Sequence, residues 1–85
     1  MAERPVGTVS HYWSGLAVAG VELSSELKVG ETIHIVGRTS DFTQTVDSIQ
    51  IEHEAVESAK AGESIGVKVK EPARIHDQVL VVTPD

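Results

Sequence analysis

The stretch Leu27-Lys28-Val29-Gly30-Glu31-Thr32-Ile33-His34-Ile35-Val36-Gly37 joins a tight turn to a β-strand. Lys28 to Glu31 is polar around Gly30, and glycine alone takes the positive φ of a tight turn at no steric cost. Thr32 to Val36 is rich in β-branched residues, and its alternation puts Ile33 and Ile35 on one face. His34 falls on the opposite face, so it is expected at the surface.

The same grammar continues outward. Downstream, Arg38 to Asp41 is a polar turn, and Thr43 to Ile51 is a long strand pattern whose apolar parity slips. Val46 lies on one parity, Ile49 and Ile51 on the other; a β-bulge near Asp47 and Ser48 would turn all three toward one core. Glu52 to Lys60 has too few apolar positions for a helix and is expected to be a loop with one helical turn. Ala61-Gly62-Glu63 is another turn. Ile65, Val67 and Val69 then alternate with Gly66, Lys68 and Lys70 in the cleanest half-buried strand. Pro72 ends that strand, and a last one runs from Gln78 to Thr83, closed by Pro84. Upstream, Leu16 to Leu23 is apolar at nearly every position, with Gly15 and Gly20 favouring a strand over a helix. Val6 to Ser10 is a weak first strand, and Ser10 to Gly15 a turn.

Eighty-five residues make one small domain, residues 1–85, with the strands spanning about 6–83. Such a domain buries only about 60–65% of the surface its unfolded chain exposes. Closing the sheet removes exposed strand edges, so the fold expected is all-β, a small closed barrel of antiparallel strands. The chain has no cysteine, which removes disulfides, thiolate zinc sites and thiol nucleophiles. Its formal net charge of -6 argues against broad binding to a phosphate backbone. The charge is uneven: residues 22–57 hold eight acids and two bases, residues 58–76 four bases and two acids. There is no apolar run long enough to span a membrane, and Met1 to Pro5 leads into no signal-peptide core. The cytoplasm is the expected compartment.

Five segments carry a resemblance to a known family. Leu27 to Gly37 resembles the "L-K-x-G-D/E-x-I-x-I-x-G" segment of the second domain of translation GTPases such as elongation factor Tu. Gly7-Thr8-Val9 with Leu16 to Val21 is similar to that domain's opening hairpin. Thr45 to Ile49 and Ala59 to Val67 resemble its "V-x-S/G-I/M" and "A-x-A-G-D/E-x-V/I-G-V/L" elements, and Asp77 to Leu80 its closing "G/D-x-V-L". The run from Asp41 to His53 is similar to the short stand-alone elongation factor-like proteins. The resemblance implies a closed six- to seven-stranded antiparallel β-barrel. It also implies a non-enzymatic binding module associated with translation, contacting the ribosome, RNA or a translation factor. In elongation factor Tu this domain helps hold the aminoacyl end of transfer RNA. The matching places here are Ser14 to Leu16 and Glu57 to Glu63, where Lys60 replaces the family's arginine and loses its planar bidentate fork. A similar barrel is appended to some U32-family peptidases, which gives the alternative of a protein-recognition or substrate-presenting accessory module.

Chemistry-bearing motifs are sparse. No G-x-x-x-x-G-K-[ST] loop is present to cradle a nucleoside triphosphate, and no G-x-S-x-G elbow to carry a nucleophilic serine. The chain is therefore expected not to be an enzyme, and to need no cofactor. His11, His34, His53 and His76 show no metal-ligand spacing, so no metal is assigned; Glu52-His53-Glu54 reads as a solvated strand end. The candidate partner-binding residues are Tyr12, Trp13, Lys60, Lys68, Lys70 and Arg74. Tyr12 and Trp13 are two of only three aromatic residues, adjacent in an expected turn. One ring either plugs the barrel or offers a contact platform, because Tyr and Trp are enriched at binding hot spots and in base stacking. The four bases are either a solvated strand face that blocks edge aggregation or a small patch for RNA phosphate or an acidic protein.

Overall fold

A computed structural model of the chain describes residues 2–52 and 54–83. Every paired element is antiparallel: β1 (Ala2–Trp13), β2 (Val18–Leu23), β3 (Leu27–Lys28), β4 (Thr32–Val36), β5 (Asp41–Thr45), β6 (Ile49–Ile51), β7 (Glu54–Val56), β8 (Ser58–Ala59), β9 (Ser64–Lys68) and β10 (Gln78–Thr83). Eight strands form one sheet in the order β5-β4-β10-β1-β2-β9-β6-β7, and β3 pairs β8 in a second, two-stranded sheet. No helix occurs among the described residues. The all-β expectation holds. The closed barrel does not appear as such, because no ladder joins β5 back to β7 among the described residues. The strand count also exceeds six or seven, since several expected loops pair with neighbours.

One face of the strands carries the core. Val6, Val9, Val21, Ile33, Ile35, Val67, Val79 and Val81 are all buried, which accounts for the β-branched character of the sequence. Each such side chain contributes about 1.5–3 kcal/mol relative to exposure.

Parity slips in the sequence take two different physical forms. The expected bulge at Asp47 and Ser48 is instead a change of partner: β5 pairs β4, whereas β6 pairs β9 and β7. Val46 and Ile49 are nevertheless both fully buried, and Ile51 packs against the same core. The gap left by this departure is bridged by a side chain. The Gln44 amide donates to the Lys68 carbonyl at 2.8 Å and accepts from the Lys70 N–H at 2.8 Å, standing in for a missing ladder rung. True bulges lie in β1, with register shifts between Pro5 and Gly7 and between Val9 and His11. These let Val6 and Val9, of opposite parity, share one core.

The expected helical turn in residues 52–60 is replaced by β7 and β8. Val56 packs on the core and Ala59 is buried opposite Leu27, so pairing outweighs the local helical leaning. His53 and Pro84 lie outside the described residues.

Three turns share one design. In Lys28-Val29-Gly30-Glu31, Lys60-Ala61-Gly62-Glu63 and Arg74-Ile75-His76-Asp77, the fourth residue's N–H donates to the first residue's carbonyl. The acidic side chain at the fourth position accepts from the first residue's N–H, at 2.7, 2.7 and 2.9 Å respectively. The third residue has positive φ each time: Gly30 at 97°, Gly62 at 90° and His76 at 78°. That is the demand of a type II turn, met by glycine twice and by a non-glycine residue once.

Candidate functional site

The second bulge of β1 decides which aromatic ring is available. By shifting parity between Val9 and His11 it turns Tyr12 inward, half-buried against the core, and Trp13 outward. Trp13 is 44% exposed, and its ring stacks at a tilt on His11, with centroids 4.2 Å apart. Tyr12 thus packs on the core, and Trp13 faces outward.

Register then assembles the outer face. His11 pairs Gly20, Gly20 pairs Gly66 and Gly66 pairs Gln50, giving a row with no side-chain bulk at its centre. Beside it runs the row Trp13, Val18 and Lys68. The Trp13 ring leans over Gly20, where an added Cβ would come within 3.0 Å of it. The result is a trough of about 490 Å³ walled by Trp13, Leu16 and Val18, with Gly20 and Gly66 at its floor and Glu52 at its rim. An adjoining hollow of about 250 Å³ shares Leu16, Val18, Gln50 and Gly66 and reaches Lys68. Lys68 also lines a third groove, of about 560 Å³, with Lys70, Gln44 and Asp47. These neighbouring hollows form a furrow in which Trp13, Val18 and Lys68 share a row, Lys70 follows Lys68, and Glu52 lies past Gln50 on the side away from Lys68.

The four candidate bases separate. Lys68 and Lys70 stand at one end of this furrow, whereas Lys60 and Arg74 open two of the type II turns and line none of its three parts. Val18, Gly20, Gly66 and Gln50 were not legible as site residues, and Leu16 entered only through the resemblance, in Ser14 to Leu16. The signal was two glycines at outward positions of two strands, but only the strand register places them opposite one another.

A second polar cluster lies elsewhere on the outer surface. His34 is half-buried on β4, with Nδ1 3.0 Å from Glu3 of β1 and Nε2 2.5 Å from Asp41 of β5. Hydrogen bonds to Asp41 and then Glu3 raise its pKa above the usual imidazole value, because both carboxylates favour the charged ring. The expectation of a plain surface histidine missed this bridge. Among the described residues no group of three or more His, Asp or Glu is arranged to hold a metal ion. No helix there is long and apolar enough to cross a membrane.

No known family profile matches the chain. Over 78 residues it is 40% identical to a protein named as an uncharacterized protease of Methanocaldococcus jannaschii, covering 91% of this chain and 19% of that protein. Over 76 residues it is 40% identical to a collagenase of Porphyromonas gingivalis, covering 87% of this chain and 21% of that protein. The chain thus spans about a fifth of the length of the curated relatives it matches. Among solved structures, it superposes on a domain described as the C-terminal domain of a U32 peptidase from Geobacillus thermoleovorans. The TM-score is 0.88 at 20% identity, over 94% of this chain and 93% of that one. The fold is shared with that domain.

These findings correct the resemblance to elongation factor Tu and to elongation factor-like proteins: the sequence relatives are named as proteases. The reason is physical. Two of the five segments that carried the resemblance, "L-K-x-G-E" and "A-G-E", contain type II turns. They report glycine at positive φ and a carboxylate closing the turn, which are requirements of a small β-fold and not of a translation factor.

Proposed function

We propose that the chain is a protein-recognising accessory module of the U32-peptidase C-terminal type, presenting or holding a polypeptide without cutting it. The observation that carries this reading is the asymmetry of the β2-β9-β6 layer. Its inner face is fully packed, while its outer face leaves Trp13 and Leu16, 44% and 67% exposed, beside a floor of glycine. Exposed aromatic anchors next to a hollow are the usual form of a protein-binding hot spot. The likeness to proteases over most of this chain supports a polypeptide as the partner. Of the sequence candidates, Trp13, Lys68 and Lys70 belong to this face, with Tyr12 as its support from the core.

The test is capture and cleavage in one experiment. Immobilised chain is incubated with gelatin, chosen because one relative is named a collagenase, and with unfolded casein. At least one of the two should be retained intact, and retention should fall at least fivefold with Trp13→Ala. Cleavage by the chain alone, or capture indifferent to Trp13→Ala, would overturn the reading.

A further inference from the structure

We infer that the furrow selects an extended peptide segment in which an apolar residue has an acidic one within a few residues of it. This rests on the recognition reading above and goes beyond it by naming the ligand's chemistry. The apolar residue would sit over Gly20 and Gly66 against Trp13, Leu16 and Val18. The carboxylate would meet Lys68 and Lys70.

Three observations support this. First, the apolar hollows adjoin and lead to a lysine: Leu16, Val18, Gln50 and Gly66 line two of them, and Lys68 lines both the second and the third. Secondly, the floor is backbone. An added Cβ at Gly66 would crowd Val18 Cγ1 at 3.3 Å, so glycine there keeps open the space a ligand side chain would fill. Thirdly, the charges are complementary to such a ligand. Among the described residues neither Lys68 nor Lys70 forms an ion pair, although Asp47 lines the far side of their groove. Trp13, Val18 and Lys68 share one cross-strand row, which sets an apolar wall and an ammonium side by side, while Glu52 lies past Gln50, away from Lys68. On a chain of net charge -6, two neighbouring lysines beside an apolar hollow favour an acidic ligand over a basic one.

Trp13 is the only tryptophan, so its fluorescence reports on the site without labelling. Three blocked peptides serve as probes: acetyl-Gly-Ser-X-Gly-Leu-Gly-Ser-amide with X as Asp, Asn or Lys. The Asp peptide should perturb Trp13 emission and move the amide NMR signals of Gly20, Gly66 and Lys68. It should bind about tenfold more tightly than the Lys peptide, with the Asn peptide between them. Raising the salt to about 0.5 M should narrow that gap, since the lysines are exposed. In the Lys68→Glu/Lys70→Glu variant the preference should invert in favour of the Lys peptide, while the amide spectrum away from the furrow stays unchanged. Equal binding of the three peptides, shifts confined to another surface, or an unaltered preference in the charge-swapped variant would each overturn the inference. If gelatin or casein capture still depends on Trp13 while the three peptides bind equally, the recognition reading survives and only the acidic-apolar class falls. If capture ignores Trp13, the face itself is wrong and both fall.

Discussion

The two halves of the eight-stranded sheet treat their outer faces in opposite ways. In the β5-β4-β10-β1 half, polar side chains answer one another: His34 bridges Glu3 and Asp41 across strands. The buried Asp77 accepts from the Arg74 N–H, beside the end of β4. In the β2-β9-β6 half the outer row is His11, Gly20, Gly66 and Gln50, with an indole leaning over it and nothing filling its centre. A face whose groups are satisfied within the chain serves the fold. A face that leaves an aromatic ring beside an unfilled hollow is the one proposed to meet another molecule.

The contrast yields predictions, the largest in the closed half. A Cβ at Gly37 would lie 1.8 Å from Asp77 Oδ1, an approach that neither backbone nor carboxylate can relieve cheaply. Gly37→Ala should therefore cost about 3 kcal/mol or more, at the upper end of overpacking penalties, and be seen as a collapse of the urea midpoint. If its midpoint is unchanged, the closed half is looser than described.

Gln44→Ala tests the seam between the halves. It strips a partner from the Lys68 carbonyl and the Lys70 N–H, and water can replace part of the loss at this exposed site. A cost of about 1 kcal/mol is expected, with faster amide exchange at Lys70.

The His34 bridge should make the closed half pH-sensitive. Its folded pKa is raised above that of the unfolded chain, so the stabilisation is complete below about pH 6.5 and is lost as pH rises through the folded value. Wild type should thus lose thermal stability relative to His34→Gln on going from pH 6 to pH 8. The difference should stay within about 1 kcal/mol because the carboxylates are exposed. A gap between the two proteins that widens with rising pH would remove the bridge from the account.

Trp13→Ala should do least to stability, about 1 kcal/mol or below, because the ring covers Gly20 without entering the core. Its effect on polypeptide capture should be large. A Trp13→Ala protein that melts several degrees lower would make the open face a structural one after all.

Much of the fold was legible because period and turn chemistry are local. Ile33 with Ile35, and Ile65 with Val67, declare their buried face by alternation, and Gly30 and Gly62 declare their turns. The third turn escaped notice because His76 holds the positive φ there in place of glycine. The stretch from Glu52 to Lys60 was misread because its pairing comes from β6 and β3, which no local pattern reveals. The candidate site was half legible. Two adjacent aromatic rings drew attention, but which of them faces water depends on a bulge between Val9 and His11. The mistaken likeness to translation factors rested on five short segments of strand and turn, patterns that local β-structure demands wherever it occurs.

Composition, alternation and turn residues by themselves determined an all-β domain without thiol or phosphate-loop chemistry, together with its principal strands and two of its three type II turns. These depend on neighbours within a few residues, whose φ and side-chain direction the chain encodes directly. Tertiary structure alone decided that, among the described residues, no ladder runs from β5 to β7, that Gln44 bridges β5 to β9, that His34 joins two carboxylates, and that Gly20 meets Gly66 beneath Trp13. Each of these depends on strand register between segments far apart in the chain, and a shift of one residue would send every one of those side chains to the other face.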